Sequence, residues 1–197
     1  EAGWSMKHLH RLIVASAAYR RVSSAGDSTA VASDAENKLL WRMNTGRMEA
    51  EVVRDSLLFV GGRLDLTRGG QELEDSDALK TFRRSLYYSC HPEIGGKSEL
   101  GALFDAPEPA DCYRRTRSII PQQSLALSNS DLVHELSSTL SVTLWQQLTP
   151  DQQMTHLPFI QAAFELILNR SPSAAELQAC MEFLQSPLAV AGTAGTT

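Results

Sequence analysis

Apolar residues recur at helical spacing over most of the chain, and polar caps punctuate them. "WSMKHLHRLIVASAAYRR" places Met6, Leu9, Leu12, Ile13, Ser16 and Tyr19 on one face, which predicts an opening amphipathic helix. "VSSAGDSTAVASDAEN" reads as a loop, after which Asp34 is placed to cap a helix carrying Leu39, Leu40, Trp41 and Met43. Asn44 and Gly46 predict a break, and a further helix runs from Arg47 to Val60 until Gly61-Gly62 ends it. "TFRRSLYYSC" alternates loosely and is the one strand candidate.

From His91 to Arg117 prolines and glycines predict a long irregular loop, with a short helical turn at Ser98 to Phe104. Leu132, Leu136, Leu140 and Leu144 then mark a helix from Asp131 to Leu148, with Ser128, Asn129 or Ser130 as its cap. Thr149-Pro150-Asp151-Gln152 and Ser173-x-x-Glu176 are capping boxes, and Phe159 to Leu168 is an apolar helix between them. The expected fold is mainly α: a compact helical bundle-like domain with a long Pro/Gly-containing irregular loop and at most one short strand pair. Residues 1–184 are expected to form a single helical domain, with 185–197 as a frayed tail.

The predicted Arg47–Val60 helix carries the main candidate chemistry. At about 100° per residue, Arg47, Glu51, Arg54 and Asp55 share one narrow sector. Ala50, Val53, Leu57 and Val60 flank it on one side, Met48, Val52 and Phe59 on the other. A helix apolar on both flanks is expected to be enclosed by neighbours, so the charged stripe would be desolvated. The spacing lets Glu51 reach Arg47 and Arg54. Glu51→Gln would then strand two arginines and cost roughly 3–5 kcal/mol. A structural ion network is the favoured reading, and Glu51, Asp55 or Asp105 as acid or base is the sharper alternative. In "FDAPEPADCYRRTRSIIPQQSLALSN", Asp105 and Asp111 stand close to Arg114, Arg115 and Arg117, which suits clamping of the loop's two arms or, as the lesser alternative, cradling of an anionic ligand. Gln123 and Asn129 would add neutral hydrogen bonds, extending the polar network to Arg47, Glu51, Arg54, Asp55, Asp105, Arg115, Gln123 and Asn129.

Charge and cysteine usage narrow the classes. Residues 1–117 hold 17 basic and 17 acidic residues, whereas Arg170 alone faces six acids in 118–197. That balance argues against nucleic acid and against a polybasic membrane anchor. No apolar run approaches the ~20 residues of a transmembrane helix. Cys90, Cys112 and Cys180 form neither a C-x-x-C pair nor a haem attachment motif, and their disulfide state stays open. His8 and His10 diverge by about 200° on a helix and cannot share a metal; His10 is expected to hydrogen-bond into the core. Cys90-His91 would need distant partners to bind an ion, so no metal site is expected. No nucleophile elbow or phosphate loop is present. The start at Glu1, without an initiator Met, reads as a fragment of a larger protein.

Five blocks in order, "WSMKHLHRLIVASAAYRR", "NKLLWRMNTGRMEAEVVRDSLLFVGGRLD", "RRSLYY", "FDAPEPADCYRRTRSIIPQQSLALSN" and "ILNRSPSAAEL", resemble a planctomycete-specific C-terminal family, the domain of unknown function 1553. The resemblance covers Trp4 to Leu184. It implies a module of a large exported, extracytoplasmic protein, with a c-type cytochrome module and a second uncharacterised domain upstream as partners. Haem c would then belong to an upstream domain, and no cofactor to this one. The matched blocks include all eight polar-network residues, without assigned roles. Thr45-Gly46 and the stretch from Cys90 to Gly101 depart from the expected pattern. Three functions are expected: a structural or docking module, a carbohydrate-active or redox-coupled enzyme domain, or a polysaccharide-binding module. The last is disfavoured because Trp4 and Trp41 read as core.

Overall fold

The structure, a computed structural model, describes residues 3–23, 28–91, 97–111 and 115–186. It divides into two compact units, one ending at Met48 and the other beginning at Glu49. The tail reading therefore falls, from residue 187 onward, outside the described residues.

In the first unit α1 spans Met6–Ala15, its N-terminus capped by the Ser5 side chain accepting from the His8 N–H. The helix is amphipathic as its spacing predicts, yet none of its residues is buried. His10 is therefore solvent-facing, not a core hydrogen-bond donor. Trp4 is fully exposed, at 101% of its reference area, which corrects its reading as core. Within the expected loop lies a short helix, α2 (Ser28–Ser33). The helix expected after Asp34 does not form. Both Asp34 carboxylate oxygens instead accept backbone N–H groups, from Lys38 and Leu39, and close a turn. Buried Asn37, left-handed at φ 57°, holds the next residues: its side chain accepts the Arg42 N–H and donates to the Arg42 carbonyl and the Asn44 side chain. Those local bonds compete directly with helical ones.

The second unit opens with α3 (Ala50–Val60), three residues shorter at its start than expected. Arg47 lies ahead of the helix, outside any regular element. Ala50, Arg54 and Leu58 are buried at four-residue spacing, so the face turned inward carries a guanidinium. Leu58 has no exposed area and packs with Leu132 and Leu136, ringed by Leu57, Leu64 and Phe82. Gly61 closes the helix against that cluster: a Cβ there would sit 2.5 Å from Leu136 Cδ2.

Between α3 and the next helix the chain makes single-turn 3-10 segments at Asp75–Asp77 and Ser85–Tyr87. Two isolated parallel bridges, Asp65 with Arg83 and Leu73 with Tyr88, are what the strand candidate becomes. Next come α4 (Glu99–Leu103), capped by Ser98, and α5 (Pro121–Asn129), with proline in its first turn. The long helix α6 (Asp131–Gln147) is capped by Ser130 and buries Leu132, Leu136 and Leu144. Both capping boxes are present, Thr149 with Gln152 on α7 (Pro150–Gln153) and Ser173 with Glu176 on α9 (Ala174–Gln185). Between them α8 (Leu157–Leu168) sets Phe159 edge-on to Trp145 at 6.0 Å and ends at left-handed Asn169. The architecture is mainly α, as the periodicity predicts. No helix among the described residues is long and apolar enough to cross a membrane.

Candidate functional site

Arg54 is 3% exposed and organises the irregular chain after α3. Its Nε and Nη2 donate to the Ala78 carbonyl at 2.9 and 2.8 Å, Nη2 also to Thr81 O at 2.6 Å and Tyr88 Oη at 2.9 Å, and Nη1 to Arg83 O at 2.7 Å. The Tyr88 ring also lies beneath the guanidinium, 4.8 Å from its centroid, and the Tyr88 and Thr81 hydroxyls are hydrogen-bonded to each other. Only an arginine has a rigid fork of five donors to address so many acceptors at once. Burial pushes its pKa down, while Tyr88 and Asp55 oppose that shift. This explains the missing strand: the carbonyls of Ala78, Thr81 and Arg83 are taken by a side chain instead of a neighbouring strand.

Asp55 completes the clasp. Its Oδ1 accepts the Ser85 N–H and hydroxyl, both at 2.7 Å, and lies 3.5 Å from Arg54 Nη1; Arg84 Nε approaches Oδ2 at 3.6 Å.

Glu51 behaves differently from its expected pairing. Its partner is neither Arg47 nor Arg54 but Arg115, which forks onto both carboxylate oxygens at 2.9 and 3.1 Å and also lies 3.6 Å from Glu49. The reason is geometric: Arg54 turns inward to the carbonyls, and Arg47 precedes the helix. Hydrogen bonding from Arg115 holds the Glu51 carboxyl below its usual range, against the opposing effect of burial. The pair is about one-third exposed on each side, so it ties the loop to α3 from the outside.

Asp105, left-handed at φ 61°, accepts the Ser118 N–H at 2.6 Å and the Ser118 hydroxyl at 2.9 Å. Buried Gln123 donates to the Leu103 carbonyl at 2.9 Å, which fastens α5 to α4. Ser118 thus joins the loop's two arms at Asp105; Arg114, one of the arginines the sequence pointed to, lies outside the described residues. Among the described residues no hydrogen bond links Asn129 to this group; it lines a separate groove between α4, α5 and α6. Arg114 and Cys112 lie outside the described residues, Cys90 is exposed and unpaired, and Cys180 is half-buried and unpaired. His91 pairs with Glu72 at 3.1 Å. Among the described residues no group of three or more His, Cys, Asp or Glu is placed to hold a metal ion.

Two spaces adjoin the ionic cluster. A small cavity of about 110 Å³ lies beside Glu51, Arg54, Asp75, Tyr88 and Lys97. Burial, with a lesser contribution from Glu74, pushes the Asp75 carboxyl up. Sequence reasoning passed over Asp75, Tyr88, Ser85 and Ser118, because nothing in their local spacing links them to α3. On the other side an open groove of about 640 Å³ exposes Val52, Phe59, Leu66 and Leu86, rimmed by Asp55, Arg84 and Arg115. The second apolar flank of α3 is thus uncovered, contrary to the enclosed helix expected.

Chemically, the three candidate carboxylates are all engaged: Glu51 by a guanidinium, Asp55 by a serine and two arginines, Asp105 by a serine. These arrangements define a helical domain whose irregular middle is fastened by ionic and carbonyl contacts to one helix. Residues 1–184 match a family described as protein of unknown function (DUF1553), and the chain belongs to that family. No curated protein and no solved structure matches it.

Proposed function

We propose that the chain is a docking module of a larger exported polypeptide, and that the uncovered flank of α3 is its contact face. One observation carries this: Val52 and Phe59 are 44% and 65% exposed on the helix whose opposite face anchors the core, with Leu66 and Leu86 continuing the patch. Clustered apolar area rimmed by ionic groups is the usual composition of a protein contact surface. The family resemblance supplies the setting: a planctomycete-type extracytoplasmic protein whose upstream part carries the c-type cytochrome module and its haem. The test is co-purification of this chain with that upstream part, expressed as a separate tagged piece. Co-purification that Phe59→Glu lowers roughly tenfold, with melting unchanged, supports docking. No association of the wild-type pieces ends the proposal.

A second reading, an acid–base enzyme domain, is favoured by the cavity that Glu51 and Asp75 share. Burial pushes the Asp75 carboxyl up, which is the direction a general acid needs. Asp75→Asn would then abolish cellular activity while leaving melting near neutral pH unchanged or higher. Retained activity in that variant removes the reading.

A further inference from the structure

A second groove, of about 630 Å³, runs between α4, α5 and α6 on the second unit. Its floor is apolar and open: Leu79 and Leu125 are 44% and 55% exposed there, and Phe82, Leu100, Leu103 and Leu132 continue it inward. Its rim is acidic, with Glu99, Asp131 and Glu135, and among the described residues that line it none is basic. Arg63 takes one oxygen of Glu135 at 2.7 Å, and among the described residues neither Glu99 nor Asp131 has a salt bridge. The surrounding sequence has the same sign, since one arginine faces six acids over residues 118–197.

We infer that this groove receives a basic amphipathic helix from a partner polypeptide segment. The inference rests on the docking reading and adds a second surface and the chemistry of its occupant. An apolar trough accepts a helix through side chains at i, i+3 or i+4 and i+7, and rim carboxylates select lysine or arginine beside them. An extended peptide lacks a footing, because no strand edge borders the groove among the described residues. Anionic lipid and nucleic acid are repelled by the rim.

The probe is a fluorescein-labelled Leu/Lys amphipathic peptide of about 18 residues, long enough for a helix of several turns, titrated against the full chain by anisotropy. A Leu/Glu peptide of the same pattern is the control. The expected result is one-to-one binding of the Leu/Lys peptide alone, weakened by salt. Leu125→Glu abolishes it, and Glu99→Lys with Asp131→Asn weakens it roughly tenfold. Circular dichroism checks that each variant folds; should Leu125→Glu not fold, Glu99→Lys carries the test at an exposed carboxylate. Equal binding of the Leu/Glu peptide, or binding indifferent to these substitutions, overturns the inference. So does self-association of the chain that Leu125→Glu removes, because a second copy would then be the occupant. The two readings fail separately. Upstream association that survives the groove variants leaves docking standing without this groove, whereas peptide binding without upstream association leaves the groove standing without docking.

Discussion

Two arginines on the second unit make forked contacts of opposite character. Arg54 is buried and spends its donors chiefly on main-chain carbonyls 24 to 29 residues away. Arg170 is half exposed and forks onto Glu176, six residues along, at 2.8 and 2.6 Å. The second pair has better ion-pair geometry, yet the first governs more structure. Water already solvates Arg170 and Glu176 well, so their pairing exchanges one good environment for another. Arg54 has no water to return to, and removing it would leave the carbonyls of Ala78, Thr81 and Arg83 without this donor. The Glu51–Arg115 fork falls between these limits.

The largest expected effect is at Arg54. Arg54→Met should destabilise the chain by roughly 3–5 kcal/mol, a drop in melting temperature on the order of 10 °C for a unit of this size. Arg54→Lys should recover little of it, since an ammonium cannot fork onto carbonyls in three directions. Full recovery by lysine would show that charge alone matters there.

Next comes Gly61→Ala. The new methyl would meet Leu136 Cδ2 and Cβ at 2.5 and 2.8 Å, so the α3–α6 contact must open. A loss of about 1–3 kcal/mol is expected in urea unfolding, and Leu136→Ala in the same chain should relieve part of the strain.

Glu51→Gln should cost only about 1 kcal/mol or less, because the pair is partly exposed. The 3–5 kcal/mol expected from a doubly paired, buried Glu51 is corrected by its single, outward partner. Its pH dependence has a definite sign. The folded carboxyl titrates below the unfolded one, so the stabilisation is present above the usual range near pH 4.3 and is lost as pH falls through the depressed folded value. Wild type and Glu51→Gln should therefore converge in stability at acid pH, and a gap that persists there would contradict the assignment.

The smallest effect is at the other fork. Arg170, with the Ser173 N–H and hydroxyl, holds the Glu176 carboxyl down to about 2. A carbon-detected NMR titration of Glu176 should show that value, and Arg170→Met should move it toward the usual range. Melting should barely change in the same variant. A large loss of stability would mean that exposed and buried forks are equivalent in this fold.

Local rules reached far into this structure. The Ser173–Glu176 and Thr149–Gln152 boxes depend on groups within one turn, so residue spacing states them directly. For α6 it narrowed the cap to Ser128, Asn129 or Ser130, of which Ser130 caps, and marked Leu132, Leu136, Leu140 and Leu144, of which all but Leu140 are buried. The family was legible as a resemblance of ordered blocks from Trp4 to Leu184, and the family match spans residues 1–184. The candidate site was legible only as a set of charged positions on α3. Which partner each one takes was not, because the competing acceptors are main-chain carbonyls that every residue possesses.

Sequence by itself thus determined the helical character, most of the caps in the second unit and the amphipathic faces, since helix formation is governed by interactions three and four residues apart. Tertiary structure alone decided that Arg54 points inward, that Arg115 takes Glu51, that Ser118 serves Asp105, and that one flank of α3 stays open. Those outcomes depend on which distant segment arrives beside the helix. Burial then sets the strength of every charge the helix carries.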